Sequence, residues 1–221
     1  MPTLYHCVSA RSFRPLWVLE ELGLAYDLVM LPFPPRLRSR EFLDLNRLGT
    51  VPLFVDGTLR MTESAAICEF LAARHSPGAL AVSAHEEAYG SYLNWLHFGE
   101  ATLTFPQTLV LRYGRLEPPE RRSPQIVADY TRWFLSRLRG IEAVVSSQDF
   151  LCAGRFTAAD ISVGYALMLA ETIGLGAHVP EAIVAYWERL KARASFSCAL
   201  AAQERAALAQ GVSTTPSPLV A

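Results

Sequence analysis

Asn46-Arg47-Leu48-Gly49-Thr50-Val51-Pro52-Leu53-Phe54, followed by Met61-Thr62-Glu63-Ser64-Ala65-Ala66-Ile67, is the stretch whose pattern decides the fold. Val51-Pro52 precedes a short apolar strand. Asp56-Gly57 predicts a two-residue hairpin turn, because both central positions of that turn favour positive φ. The second strand runs into Thr62-Glu63-Ser64, directly before an apolar helix. A helix N-terminus presents free N–H groups and partial positive charge, which suit a carboxylate or phosphate. Val51, held just before a proline, has an N–H and a C=O able to pair with an extended peptide as an added strand would. A plain hairpin followed by a capped helix accounts for each piece separately. The combined spacing favours a binding site.

Working outward, Thr3 to His6 predicts a strand and Cys7 to Arg11 a loop. Ser12 is placed to cap a helix from about Phe13 to Leu22, which Gly23 ends. Tyr26 to Leu31 is rich in β-formers and predicts a second strand. Pro32-Phe33-Pro34-Pro35 breaks the pattern, and a short helix covers Glu41 to Leu45. The hairpin and a helix from about Ser64 to His75 complete a β-α-β-α-β-β-α order, which Ser76-Pro77-Gly78 closes. That order predicts a mixed sheet with helices packed on it.

Beyond residue 86 strand signals vanish. Tyr89, Tyr92, Leu96 and Leu103, then Ile126, Tyr130, Phe134, Leu138, Ile141 and Val145, recur at helical spacing. Ile161, Tyr165, Leu169 and Ile173 form another stripe, and Tyr186, Trp187, Leu190 and Phe196 predict the last long helix. The expected division is an α/β domain over 1–78, an all-helical domain over 86–210 and a mobile tail over 211–221. Thr157 and Asp160 have the spacing of a capping box, flanked by Phe156 and Ile161. A capping role is thus open to Asp160, with a catalytic carboxylate as the alternative.

With 51% hydrophobic and 19% charged residues, the chain has ample material for a core. Net charge of −1 gives no footing for nucleic acid or anionic membranes. No apolar run reaches the ~20 residues of a membrane span. Cys7, Cys68, Cys152 and Cys198 show no CxxC pair and no metal spacing with histidine. No metal is expected. With no secretion leader visible at the N-terminus, a cytoplasmic protein is predicted.

The Val51-Pro52, hairpin and Glu63-Ser64 arrangement resembles the glutathione site of the cytosolic glutathione S-transferase family. Gly154-Arg155-Phe156-Thr157-Ala158-Ala159-Asp160 resembles the capping motif of its helical domain. The β-α-β-α-β-β-α order resembles the thioredoxin fold that the family shares. The resemblance implies that Val51, before a cis-proline (Pro52), pairs with the cysteinyl backbone of glutathione. It also implies that Glu63 and Ser64 hold the γ-glutamyl end. The implied chemistry is attack by the glutathione thiolate on a small electrophile. A free thiol titrates near ~8.5, so a hydrogen-bond donor must stabilise the thiolate. Ser9 with the later Arg14 resembles the arrangement of the serine-type classes, such as tau and phi. Ser9 is the expected donor and Ser12 the alternative. Arg14 either adds positive potential or pairs with a helix acid such as Glu20 or Glu21. A mixed-disulfide role for Cys7, as in omega-type relatives, fits less well, since Val8 rather than proline follows it. The resemblance also implies a homodimer. Other readings within it are a non-catalytic glutathione-binding or protein-interaction module and a glutathione-dependent isomerase or peroxidase.

Overall fold

The computed structural model describes residues 1–220. They form two compact units, Met1–Ser76 with Ala192–Val220, and Pro77–Lys191.

The first unit is built on a four-stranded mixed sheet. Its strands are β1 (Thr3–His6), β2 (Asp27–Met30), β3 (Leu53–Asp56) and β4 (Leu59–Met61), in the order β2-β1-β3-β4. β1 runs parallel to β2 and antiparallel to β3, with Tyr5 opposite Leu53. The period-2 alternation of β1 puts Leu4 and His6 on one face, both buried. Tyr5 faces the other way and packs on Phe42, with ring centroids 5.6 Å apart. Helices α1 (Phe13–Glu21), α2 (Pro35–Arg38), α3 (Arg40–Leu45) and α4 (Ser64–His75) complete the thioredoxin-like order. The four-residue α2 was not expected. Pro34 and Pro35 start it rather than merely interrupt the chain, because proline's fixed φ suits a first turn.

The hairpin turn lies one residue later than expected. Asp56 pairs with Leu59, so Gly57 and Thr58 are the central pair. Gly57 alone of these has positive φ, 58°, which is the type II′ pattern rather than the type I′ pattern that Asp-Gly suggested.

The second unit holds α5 (Tyr89–His97), α6 (Phe105–Leu111), α7 (Pro124–Val145), α8 (Ala158–Thr172) and α9 (Glu181–Lys191). Between α5 and α6 the chain widens into a π-helix over Phe98–Thr104. Pro106 lacks a backbone donor, and two side chains nearby add hydrogen bonds to carbonyls of this stretch. The hydroxyl of Thr104 donates to the Gly99 carbonyl at 2.8 Å, and the Gln107 amide to the Leu103 carbonyl at 3.1 Å. Gly99 is required because a Cβ would come within 2.6 Å of the Ser162 backbone.

Two features of the C-terminal region differ from expectation. The last helical stripe is two helices, since α9 ends at Lys191 and α10 (Ala194–Ala209) begins after a break. Residues 192–210 then group with the N-terminal unit rather than with the helical one. Trp17 of α1 donates its indole N–H to Ser195 at 3.0 Å, and Glu21 accepts from Arg193 and Ser195. Gln210 caps the edge strand β2, accepting from Met30 N–H and donating to the Leu28 carbonyl, both at 2.8 Å. The tail does not trail free. Ser217 is buried and its N–H donates to the Val8 carbonyl at 2.7 Å. Ala221, the end of the expected tail, lies outside the described residues.

Candidate active site

Where β1 ends, the chain turns sharply before α1. The Ala10 N–H bonds back to the Cys7 carbonyl at 3.0 Å, and Phe13 N–H to the Ala10 carbonyl at 2.8 Å. Ser9 sits at the apex with φ of 55°. A non-glycine residue held in this left-handed region costs of order 1 kcal/mol, and such strain concentrates at functional sites. What holds it is Gln203 of α10. The Gln203 Oε1 accepts the Ser9 N–H at 2.9 Å and lies 3.0 Å from His6 Nε2. The Gln203 Nε2 donates to the Ser9 hydroxyl oxygen at 3.4 Å. Burial of the His6 imidazole lowers its pKa to about 4, outweighing the opposing hydrogen bond to Gln203. His6 is therefore neutral at physiological pH.

Ser12 does not cap α1. Its backbone is already helical, with φ −64° and ψ −10°, and its side chain makes no cap bond. Its hydroxyl instead accepts the Cys7 N–H at 3.4 Å, bracing the loop from inside. Ser12 is fully buried, whereas Ser9 keeps 7% exposure. Of the two serines, only Ser9 keeps any exposed surface. Cys7 is also fully buried, and burial pushes its thiol up to about 12. A thiol that stays protonated is a poor partner for a mixed disulfide.

Arg14, on the first turns of α1, is fully buried. Its guanidinium donates to the Ser64 hydroxyl at 3.1 Å. A buried cation is tolerated only when its donors are matched, and here one match is a residue the sequence assigned to the glutathione end. The acids proposed as alternative partners are occupied nearby. Glu20 accepts from Tyr26 and Glu21 from Arg193. The Arg14 charge also draws down the Cys68 thiol, yet burial prevails and carries that thiol up to about 12.

Ser64 opens α4. The N–H groups of Ser64, Ala65 and Ala66 precede the first intrahelical bond, which Ile67 makes to the Glu63 carbonyl at 2.9 Å. Glu63 occupies the cap position, yet its exposed side chain makes no cap bond. The helix therefore begins with unclaimed donors beside a hydroxyl and a buried guanidinium, an arrangement that favours an anion.

The Val51–Pro52 peptide is cis, as the resemblance implied. Neither the N–H nor the C=O of Val51 is hydrogen-bonded to any described residue. Its side chain packs on a cluster of Cys7, Ala10, Phe42 and Leu53, which joins it to the Ser9 loop. The approach to Val51 is fixed by Asn46, whose amide donates to the Thr50 carbonyl at 2.8 Å and accepts from Leu48 N–H at 3.1 Å. Gly49 (φ 61°) lets the chain pass Arg36, where a Cβ would meet the Arg36 Cβ at 2.6 Å.

All seven expected site residues thus lie in the first unit. Ser9, Val51 and Pro52 share the end of β1 and β3, and Arg14 touches Ser64. Gln203 and Asn46 were missed. Gln203 had a signal: it falls on the apolar stripe of Phe196, Ala199 and Ala207, where an amide is out of character. What that amide would meet was not written locally. Among the described residues, no cluster of His, Cys, Asp and Glu has the geometry of a metal site.

A family model for the glutathione S-transferase N-terminal domain matches residues 8–74. The chain is 24% identical over 184 residues to glutathione S-transferase 3 of Schizosaccharomyces pombe, covering 77% of this chain and 75% of that protein. It is 26% identical over 204 residues to the glutathione S-transferase GstA of Escherichia coli O157:H7, covering 90% and 98% respectively. A solved glutathione S-transferase from Xylella fastidiosa superposes with a TM-score of 0.80 at 23% identity, over 92% of this chain and 99% of that one.

Proposed function

We propose that this chain, whose residues 8–74 match the glutathione S-transferase N-terminal domain and which is similar over most of its length to glutathione S-transferases, is an active transferase that ionises the thiol of glutathione and directs it at a small electrophile. Val51 pairs its free N–H and C=O with the cysteinyl backbone of the tripeptide, and Pro52 holds that edge open. The Ser64 hydroxyl and the first N–H groups of α4 take the γ-glutamyl carboxylate. Glu63, exposed beside them, takes the γ-glutamyl ammonium. Arg14 orients Ser64 and adds buried positive charge behind it. Ser9 donates its hydroxyl hydrogen to the sulfur and stabilises the thiolate. The thiol proton goes to solvent, the thiolate forms a carbon–sulfur bond with the electrophile, and the displaced group leaves with the electron pair. Glutathione is consumed as a co-substrate, and no metal takes part. The enzyme is expected to work as a cytoplasmic homodimer.

The observation that carries this reading is the bond between Arg14 and Ser64. It joins the helix that follows the thiolate loop to the helix that receives the tripeptide's anionic end. The test is twofold. Calorimetry should detect glutathione binding that weakens on Ser64→Ala, and an activated aryl halide should be turned over with glutathione present. Binding without turnover of several electrophile classes would favour a carrier or interaction module. Absence of binding would remove the reading altogether.

A further inference from the structure

The amide of Gln203 can face the Ser9 loop in two ways, and the loop's own backbone decides between them. The Ser9 N–H is a donor whatever the protonation state, and it points at one end of the amide at 2.9 Å. That end must be the oxygen, since the reverse would set N–H against N–H. His6, 3.0 Å away through Nε2, meets the same oxygen and donates to it in the tautomer that carries its hydrogen on Nε2. With the oxygen so placed, the amide nitrogen faces the Ser9 hydroxyl oxygen at 3.4 Å. The hydroxyl is then an acceptor toward Gln203, and its own hydrogen must point elsewhere. No described residue other than Gln203 bonds to the Ser9 side chain.

We propose that Gln203 is a positioning residue that sets the direction of the Ser9 hydroxyl hydrogen, making Ser9 an obligate donor to the bound sulfur. The proposal rests on the reading of Ser9 as the thiolate donor. One side chain does two jobs. Its oxygen holds the Ser9 backbone in the left-handed region, and its nitrogen orders the hydroxyl. A serine without such a partner rotates among three staggered positions and offers the sulfur its hydrogen only part of the time.

The geometry is stiff because α10 is fixed on both sides of Gln203. At the N-terminal end, Phe196 packs edge-on to Trp17 at 4.9 Å and Phe13 at 5.7 Å, and Ser195 bonds Trp17. At the C-terminal end, Gln210 grips β2 through both its amide groups. Gln203 itself is 4% exposed, so water does not compete for its bonds.

The experiment measures the ultraviolet absorbance of glutathione thiolate against pH in the full-length protein. The variants are Ser9→Ala, Gln203→Met, Gln203→Glu and Ser9→Ala with Gln203→Met, each checked by thermal unfolding. Gln203→Met keeps the volume and removes both polar contacts. It should raise the thiol pKa by about one unit, roughly tenfold less thiolate at fixed pH, while kcat falls and the KM for glutathione changes little. Gln203→Glu is nearly isosteric but replaces the donor with an acceptor that captures the Ser9 hydrogen, so its shift should be larger than that of Gln203→Met. The added carboxylate also raises the thiol pKa by charge alone, so the uncharged Gln203→Met and the double variant decide the role of Gln203. The double variant should be no worse than Ser9→Ala alone. If Ser9→Ala leaves the thiol pKa unchanged, the reading of Ser9 itself fails. If Ser9→Ala raises it while both Gln203 variants keep the native value, or if the double variant is additive, only the role of Gln203 is overturned.

Discussion

Two helices in this chain begin with a hydroxyl and an acid, and their fates differ. At the start of α8, Thr157 and Asp160 form a closed capping box. The Asp160 carboxylate accepts from the Thr157 N–H at 2.8 Å, the Thr157 hydroxyl at 3.1 Å, the Leu151 N–H at 3.0 Å and the Tyr186 hydroxyl at 2.8 Å. At the start of α4, Glu63 caps nothing with its side chain, and three N–H groups stay unclaimed beside Ser64. The difference is in where the acid stands. An acid three positions after the hydroxyl folds back on the helix end and satisfies it. Glu63 stands at the cap position itself, and its side chain faces outward without taking up those N–H donors. Under the proposed function, the saturated start serves the fold and the unsaturated one serves binding.

The largest expected effect comes from breaking the saturated end. Asp160→Ala would strand two backbone N–H groups and the Tyr186 hydroxyl in the core, at a cost of about 4 kcal/mol. Urea unfolding should show this loss. A variant that folds at low temperature should still bind glutathione, and a change in that affinity would mean the two helix starts are not separate in role.

Acid should act next, on the unit that carries the open site. His6 is buried neutral, with its pKa lowered from the ordinary 6.5 to about 4. The unfolded chain therefore takes up the proton first, so His6 lowers stability as pH falls through 6.5 toward 4 and has no such effect above 6.5. The loss is about 3 kcal/mol over that window. It should appear as a narrowing stability gap between the native chain and His6→Gln as pH is lowered. A gap that does not vary with pH would show that the folded imidazole takes up its proton as readily as the unfolded one.

How much of this comparison was legible in the sequence follows from the same residues. Strands β1, β3 and β4 and helix α4 were readable, because each is a short run bounded by proline, glycine or polar residues within about ten positions. The capping box at Thr157 was readable for the same reason: both its partners lie in one turn. Ser12 was misread as a cap because serine before a helix normally is one, and only the folded loop brings the Cys7 N–H to its hydroxyl. Gln203 showed in the sequence only as an amide on an apolar stripe, not as a site residue. Its partners lie 194 and 197 positions away, and a stripe of apolar residues tells that α10 packs but not against what. The grouping of residues 192–220 with the N-terminal unit escaped for that reason too.

Smaller effects should mark the open end. Ser64→Ala should weaken glutathione binding about tenfold, the scale of a hydrogen bond to a charged group, with at most about 1 kcal/mol lost in stability. Calorimetry and unfolding on the same sample separate the two. A stability loss as large as that of Asp160→Ala would make Ser64 a fold residue after all. Smallest is Glu63→Gln. This exposed side chain makes no cap bond, so stability should change by less than about 0.5 kcal/mol. Glutathione affinity should fall about threefold and lose part of its salt dependence. Unchanged affinity at low salt would remove Glu63 from the site.

The most direct test of the account is the pH titration of glutathione thiolate absorbance on the native protein beside Ser9→Ala. The account predicts a bound thiol that ionises well below the free value near ~8.5, and a return toward that value in Ser9→Ala with glutathione still bound. Glutathione that binds the native protein yet titrates as the free thiol does would contradict it.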